Sequence, residues 1–312
     1  MGTLERLFAP LSAEELVRDY WMRRSLHIPG GPEKVGSLFS LDAFHAAIAA
    51  AGRRTDSVPR GFSVRAGPAR QIMPWTINAE LAAGQTICVS AIELGDERLA
   101  TFAAELKREL SFPGYVGVHA YLSPPGSGFS FLHFDARIAT TLQILGRKRW
   151  RYADTSSLPW PAHNVRFTPD GRLDWHLPPS PWEERAELRP DVPLAEVVLS
   201  PGDVLCLPAG TLHAAEAVDD LSLSININFN FGGLFELIGA YLRAALPELP
   251  GWREPPPAVL AAELAAEKSG DALPPAVAAY MVARLDELRR LLDQLDPRHG
   301  NELAALWRRT LR

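Results

Sequence analysis

The residues best placed to do chemistry are one short stretch and one distant histidine. Leu132-His133-Phe134-Asp135 sets an imidazole and a carboxylate one residue apart, and His213 follows eighty positions later. Two imidazoles and a carboxylate can fill one face of a metal ion and leave the opposite face open for substrate and oxygen. The donors are hard to borderline and include no thiolate, which suits iron(II) better than a closed structural zinc site. An isolated His-x-Asp is weak evidence, because any strand entering a turn can carry it. The surroundings of His213 strengthen it: Pro201-Gly202 precedes a strand, Pro208 and Gly210 mark a turn, and the histidine opens the next strand.

Strands must position these groups. From Tyr115 the chain reads as short β segments joined by turns: Val116 to Leu122, Phe129 to Phe134, Thr140 to Leu145, Arg149 to Tyr152, Glu196 to Leu199 and Asp203 to Leu207. Such a run indicates a sandwich or barrel. The last strand, Leu221 to Phe231, alternates without a break, with Ser222, Ser224, Asn226, Asn228 and Asn230 on one face and Leu223, Ile225, Ile227, Phe229 and Phe231 on the other. A continuous row of amides and hydroxyls is hard to explain as core. Thr141, Ser224, Asn226 and Asn228 are therefore candidates for a polar barrel lining, with a solvent face as the other option. Residues 154 to 195, proline-rich and carrying Trp160, Trp175 and Trp182, read as a long surface excursion of the kind that serves a site. The tryptophans either cover a peptide substrate or pack the excursion onto the barrel.

Helical patterns flank the β region. Ser12-Ala13-Glu14-Glu15 has capping-box spacing and predicts a helix over about 13–23. A strand at Ser25-Leu26-His27-Ile28, a helix from Ser40 to near Gly52 and a helix capped by Asp96 follow, the last with Leu99, Phe102, Leu106 and Leu110 on one stripe. Thr86 to Ser90 is strand-like, whereas residues 53 to 75 show no period and are expected to be an irregular surface segment. After Gly232-Gly233 helices are expected around Leu234 to Leu242 and over 258–267, 275–295 and 301–311. The expected division is a catalytic domain over 1–232 and a helical region over 233–312. Leu285, Leu288, Leu292, Leu295, Leu303, Leu306 and Trp307 are too many apolar residues for a solvated appendix, so this region should pack on the barrel or on a second chain.

Composition narrows the function classes. With 312 residues, 47% hydrophobic and 22% charged, the chain can bury a sizeable core. A formal net charge of -5 gives no electrostatic reason to expect nucleic acid or an anionic membrane. Cys88 and Cys206 both sit in apolar runs, which points to a reducing compartment without disulfides, and no run reaches the ~18 apolar residues of a membrane span. A cytoplasmic protein is expected. His27, His45, His163, His176 and His299 have no ligand spacing and read as surface or packing residues.

From about Leu16 to Phe231 the sequence resembles the cupin-type JmjC oxygenases, most of all their bacterial ribosomal-oxygenase branch. The resemblance is carried by Tyr20-Trp21, Leu26 to Gly30, Gly84-Gln85-Thr86, His119 to Pro124, His133-Phe134-Asp135 with Gln143 and Gly146 to Trp150, and Leu199 through His213. It implies a mainly β fold, a double-stranded β-helix or jelly roll with N-terminal helices and a C-terminal helical dimerisation region. It also implies Fe(II), 2-oxoglutarate and dioxygen as reactants. His133, Asp135 and His213 would be the facial triad, and Lys148 would hold the remote carboxylate of the cosubstrate if it points inward between Arg147 and Arg149. Tyr121 stands where the family has an active-site tyrosine, although a half-buried strand tyrosine explains it equally well. Thr141, Asn226 and Asn228 are the further candidates for cofactor contacts. His119 replaces an asparagine common in the ribosomal oxygenases, and the winged-helix domain that follows the dimerisation helices in that branch has no counterpart in the sequence. The expected activity is hydroxylation of a peptide or protein side chain, with a small ribosomally made peptide ahead of a ribosomal protein, and with a homodimer as the assembly. The alternatives are a small-molecule hydroxylase of the same chemistry and a non-enzymatic metal-binding cupin.

Overall fold

The computed structural model describes residues 2–52, 62–67, 70–231, 233–259, 273–296, 298 and 300–311. The chain divides after Phe231 into two compact units. The first holds fourteen strands among the described residues: β1 Leu26–Ile28, β2 Ser63–Ala66, β3 Arg70–Gln71, β4 Ile87–Ser90, β5 Tyr115–Ser123, β6 Gly128–Phe134, β7 Ile138–Leu145, β8 Lys148–Tyr152, β9 Val165–Phe167, β10 Leu173–Trp175, β11 Ala195–Leu199, β12 Val204–Leu207, β13 His213–Ala217 and β14 Ser222–Asn230. An eight-stranded sheet runs β1-β12-β7-β14-β5-β4-β2-β3, and a six-stranded sheet runs β10-β9-β6-β13-β8-β11. Consecutive strands repeatedly cross from one sheet to the other, as a jelly roll requires. The fold is a mainly β double-stranded β-helix.

Period-two alternation decides which face of β14 turns where. Leu223, Ile225, Ile227 and Phe229 are buried in the main core together with Leu16, Trp21, Phe44, Leu99 and Leu106 from the N-terminal segments. Trp21 meets Phe229 edge to face at 4.7 Å between ring centroids. Each fully buried Leu or Ile contributes about 1.5–3 kcal/mol, so this face fixes the register of the strand. The opposite face therefore points inward, and Ser222, Ser224, Asn226 and Asn228 are all buried. The solvent-face option for this row is excluded.

The supporting helix Glu97–Glu109 begins at Asp96, whose carboxylate accepts from the amides of Arg98 and Leu99 at 2.9 and 3.1 Å. It buries Leu99, Ala103 and Leu106 on one stripe. The helix expected over 13–23 is shorter: Ser12 caps Ala13–Glu15, and a π turn over Leu16–Tyr20 closes on Trp21. Residues 53–75 are not simply irregular. Their described part includes β2, β3 and a tight turn at Pro74–Thr76, while 53–61 and 68–69 lie outside the described residues. Four residues of Ser-Val-Arg-Ala are too short to show a period, and their pairing with β4 supplies what the local sequence lacks. The excursion over 154–195 also carries structure: β9 pairs with β6, and Phe134, Leu158, Val165, Phe167 and Leu212 form a separate small core.

The second unit contains helices Leu234–Ala245, Pro275–Leu295 and Glu302–Thr310. Leu237, Leu295 and Leu306 are its buried centre, while Val282, Leu285 and Leu292 are exposed. The helix expected over 258–267 falls almost wholly outside the described residues. No helix among the described residues is long and apolar enough to cross a membrane.

Candidate metal centre

The two ligand motifs meet because β13 pairs with β6 in a register that sets His213 directly opposite His133. Their ring centroids are 4.2 Å apart. Each imidazole is oriented by its own backbone: Nδ1 of His133 donates to the Phe131 carbonyl at 3.0 Å, and Nδ1 of His213 to the Thr211 carbonyl at 2.8 Å. That arrangement leaves both Nε2 atoms as lone-pair donors. Burial lowers the pKa of both rings, that of His213 to about 4 with His133 adding to the effect, so both are neutral at pH 7.

Asp135 is the third member. Burial raises its pKa, but the Arg137 guanidinium and the neighbouring imidazoles outweigh that and draw it to about 2. Its Oδ1 accepts from Asn164 Nδ2 at 2.9 Å and lies 3.5 Å from Arg137 Nη2. Among the described residues no three His, Cys, Asp or Glu side chains are gathered closely enough to form a finished cage. The imidazoles adjoin, and the carboxylate is held on Arg137 and Asn164. The chemistry of the set nevertheless fits a divalent ion: two neutral imidazoles with fixed tautomers and one ionised carboxylate, all on two adjacent strand ends.

Asn164 had no signal in the sequence. It lies in the excursion and holds the loop after β6 twice, donating to Asp135 and accepting from the Ala136 amide at 2.8 Å. Asn164→Ala is expected to weaken metal binding about 10–100-fold, as loss of an outer contact to a metal ligand does, and Mn(II) titration by electron paramagnetic resonance measures it. The turn before His213 is tied to the same place, since the Gly210 amide donates to the Asp135 carbonyl at 2.8 Å. Gly210 has φ +77, and a Cβ there would meet the Leu158 carbonyl oxygen at 1.9 Å. Gly210→Ala should therefore cost about 1–3 kcal/mol or more in urea unfolding and also lower Mn(II) affinity, because the strain falls between two ligands.

A cavity of about 430 Å³ opens beside these residues. Phe129, Phe131 and His133 alternate along β6 to form one wall, and Trp175, edge to face with Phe134 at 6.2 Å, belongs to another. His119 and Tyr121 line it from β5, and His176, exposed as a surface residue, stands at its edge. His163 instead donates to buried Glu183 at 2.8 Å, His27 lies 3.6 Å from Asp203, and His299 is outside the described residues. Trp160 and Trp182 are exposed.

Lys148 is 2% exposed and points inward from β8, whereas Arg147 pairs with Asp219 and Arg149 with Glu216 at 2.9 Å on the outside. Among the described residues its Nζ has only the hydroxyls of Ser123 and Ser224 as hydrogen-bond partners, each at 3.5 Å, and it stands over the Tyr121 ring at 5.5 Å. Burial pushes its pKa down to about 8. A buried cation without a carboxylate partner is costly, and the end of a dicarboxylate would complete it. Lys148 does not line the cavity; the Tyr121 ring does, with Lys148 behind it. Thr141 donates to Asn226 Oδ1 at 2.7 Å, and Asn228 accepts from Arg137 Nε at 3.1 Å. These three polar residues thus form a bonded layer under the site.

Two facing antiparallel sheets with a His-x-Asp and a returning histidine at one end define a cupin-type β-helix. Residues 98–232 match the JmjC domain family. It is 28% identical over 257 residues to ribosomal oxygenase 1 of Gallus gallus, covering 78% of this chain and 40% of the relative. It is 27% identical over 237 residues to the bifunctional lysine-specific demethylase and histidyl-hydroxylase NO66 of Drosophila persimilis, covering 73% of this chain and 31% of that one. The chain thus spans less than half the length of either relative. The crystallised YcfD, a ribosomal oxygenase from Escherichia coli in complex with cobalt and 2-oxoglutarate, has the same fold, with a TM-score of 0.55 and 18% identity over 93% of this chain and 68% of that one.

Proposed function

We propose that this chain is an Fe(II)- and 2-oxoglutarate-dependent oxygenase that hydroxylates a side chain of a peptide or protein. The carrying observation is the apposition of two neutral imidazoles across β6 and β13, with the ionised Asp135 on the loop that follows β6, at an aromatic-walled cavity. His133, Asp135 and His213 would hold Fe(II). When bound, the iron and 2-oxoglutarate supply oxidative decarboxylation to succinate and CO2, coupled to transfer of the second oxygen atom of O2 into a substrate C–H bond. The protein orients and shields: Tyr121 lines the site with Lys148 behind its ring, where the ammonium would take the remote carboxylate of the cosubstrate, Thr141, Asn226 and Asn228 hold the floor, and Phe129, Phe131 and Trp175 wall the cavity. The relatives named as ribosomal oxygenase and histidyl-hydroxylase support a protein target. Two buried free cysteines support a cytoplasmic setting, and the exposed Val282, Leu285 and Leu292 support a homodimer through the second unit.

Anaerobic titration with Fe(II) and 2-oxoglutarate, followed by succinate measurement in air, tests the chemistry. Tight binding and succinate release are expected, and failure to bind either ligand overturns the reading. Light scattering is expected to give twice the chain mass; a monomer would remove the dimer.

A further inference from the structure

The cavity is lined by three arginines whose charges are spent differently. Arg166 is neutralised within the wall, with Nε donating to Asp174 at 2.7 Å and Nη2 pairing with the same carboxylate oxygen at 2.6 Å. Arg137 gives Nε to Asn228 and lies 3.5 Å from Asp135, whose charge the proposed metal would claim. Arg65 has neither arrangement. Cross-strand register places it beside Cys88 on β4, and Cys88 beside Tyr121 on β5, so it stands on the inner face in line with the site. Its Nη2 reaches Cys88 Sγ at 3.4 Å and Ser90 Oγ at 3.2 Å, its Nε is buried without a partner, and no carboxylate among the described residues forms an ion pair with it. Nδ1 of His119, lining the same cavity, is also buried without a partner.

A guanidinium that faces a cavity with only a thiol and a hydroxyl for company is an incomplete recognition element. Its planar fork matches a carboxylate, and the low-dielectric surroundings penalise leaving it unmatched. The aromatic wall supplies no negative charge, and Asp174 is already used by Arg166. We infer that Arg65, with Arg137 on the same cavity, receives a carboxylate of the substrate, so that the peptide presented to this site is acidic at or next to the residue modified. This rests on the oxygenase reading for the identity of the site, but the recognition itself is a binding property that needs no turnover.

The test uses the full chain with Mn(II) and 2-oxoglutarate without oxygen. Fluorescein-labelled nonapeptide pools differing only at the centre, Asp and Glu against Asn and Gln against Lys and Arg, are compared by anisotropy, and 2-oxoglutarate affinity is measured separately by calorimetry. The acidic pool is expected to bind at least about tenfold tighter than the amide pool, the size of one charge-assisted hydrogen-bonded pair. Arg65→Met should erase that preference and leave the 2-oxoglutarate affinity within about twofold. Arg65→Lys, which keeps the charge and protects against a folding defect, should retain a reduced preference. Equal binding of the pools, preference for the basic pool, or loss of 2-oxoglutarate binding in Arg65→Met would overturn the inference, the last by assigning Arg65 to the cosubstrate. If the wild-type chain bound acidic peptides selectively but took up no Mn(II) or 2-oxoglutarate, the recognition would stand and the oxygenase reading would fall.

Discussion

Single replacements of His133, Asp135 or His213 by alanine are expected to lower 2-oxoglutarate-dependent succinate formation to about a thousandth of wild type, because a metal site that loses a ligand forfeits several kcal/mol of stabilisation and each 1.36 kcal/mol is tenfold in rate. The three variants should differ in stability. His213→Ala removes an imidazole stacked on Trp150 at 5.6 Å and leaves space in a packed interior. Asp135→Ala removes the carboxylate partner of Arg137 and leaves a largely buried guanidinium held by Asn228 alone. It should be the least stable of the three in urea, and Asp135→Asn, which keeps the volume and an acceptor, should recover part of the stability without recovering turnover. Wild-type succinate formation in Asp135→Ala would remove Asp135 from the metal.

Lys148→Met should separate stability from function in opposite directions. Without cosubstrate the wild-type protein keeps an ammonium buried against two serine hydroxyls, so exchanging it for an apolar side chain of similar length is expected to stabilise the fold by about 1–3 kcal/mol. The same change should weaken 2-oxoglutarate binding about 10–100-fold and abolish the rise in Tm that the cosubstrate gives wild type. The pH dependence has a definite sign. The folded-state pKa is lowered from 10.5 to about 8, so between those values the unfolded chain binds more protons and the cost of burying Lys148 declines as pH rises. The stability advantage of the methionine variant should be full below about pH 8 and vanish above about 10.5. An advantage independent of pH would mean that packing, not charge, is responsible.

The parts of the site set by strand alternation could be read from the chain. The Arg147-Lys148-Arg149 triplet on a strand allows only one inward residue if its neighbours face water, and Lys148 is that residue. The unbroken Ser/Asn row of β14 similarly has one buried option once the opposite face is Leu, Ile and Phe. What could not be read depended on partners distant in sequence. Arg65 lies on a four-residue strand in a stretch without period, and only pairing with β4 turns it toward the cavity. Asn164 touches Asp135 because β9 adds to β6, a long-range contact with no local signature. The excursion over 154–195 looked like covering and is in part sheet, since its two strands are three residues each and too brief to display alternation.

That pairing sets terms for anyone who wishes to redesign the site. In the register His133 to Arg166 and Phe134 to Val165, the excursion is stitched to the strand that bears the first histidine, and Asn164 grips the neighbouring aspartate. A transplant of this segment from a relative would carry specificity and metal affinity together. Grafts should be cut outside 164–175, leaving Asn164, β9 and β10 with the host, so that the exposed stretch around Trp182 becomes the exchangeable cassette.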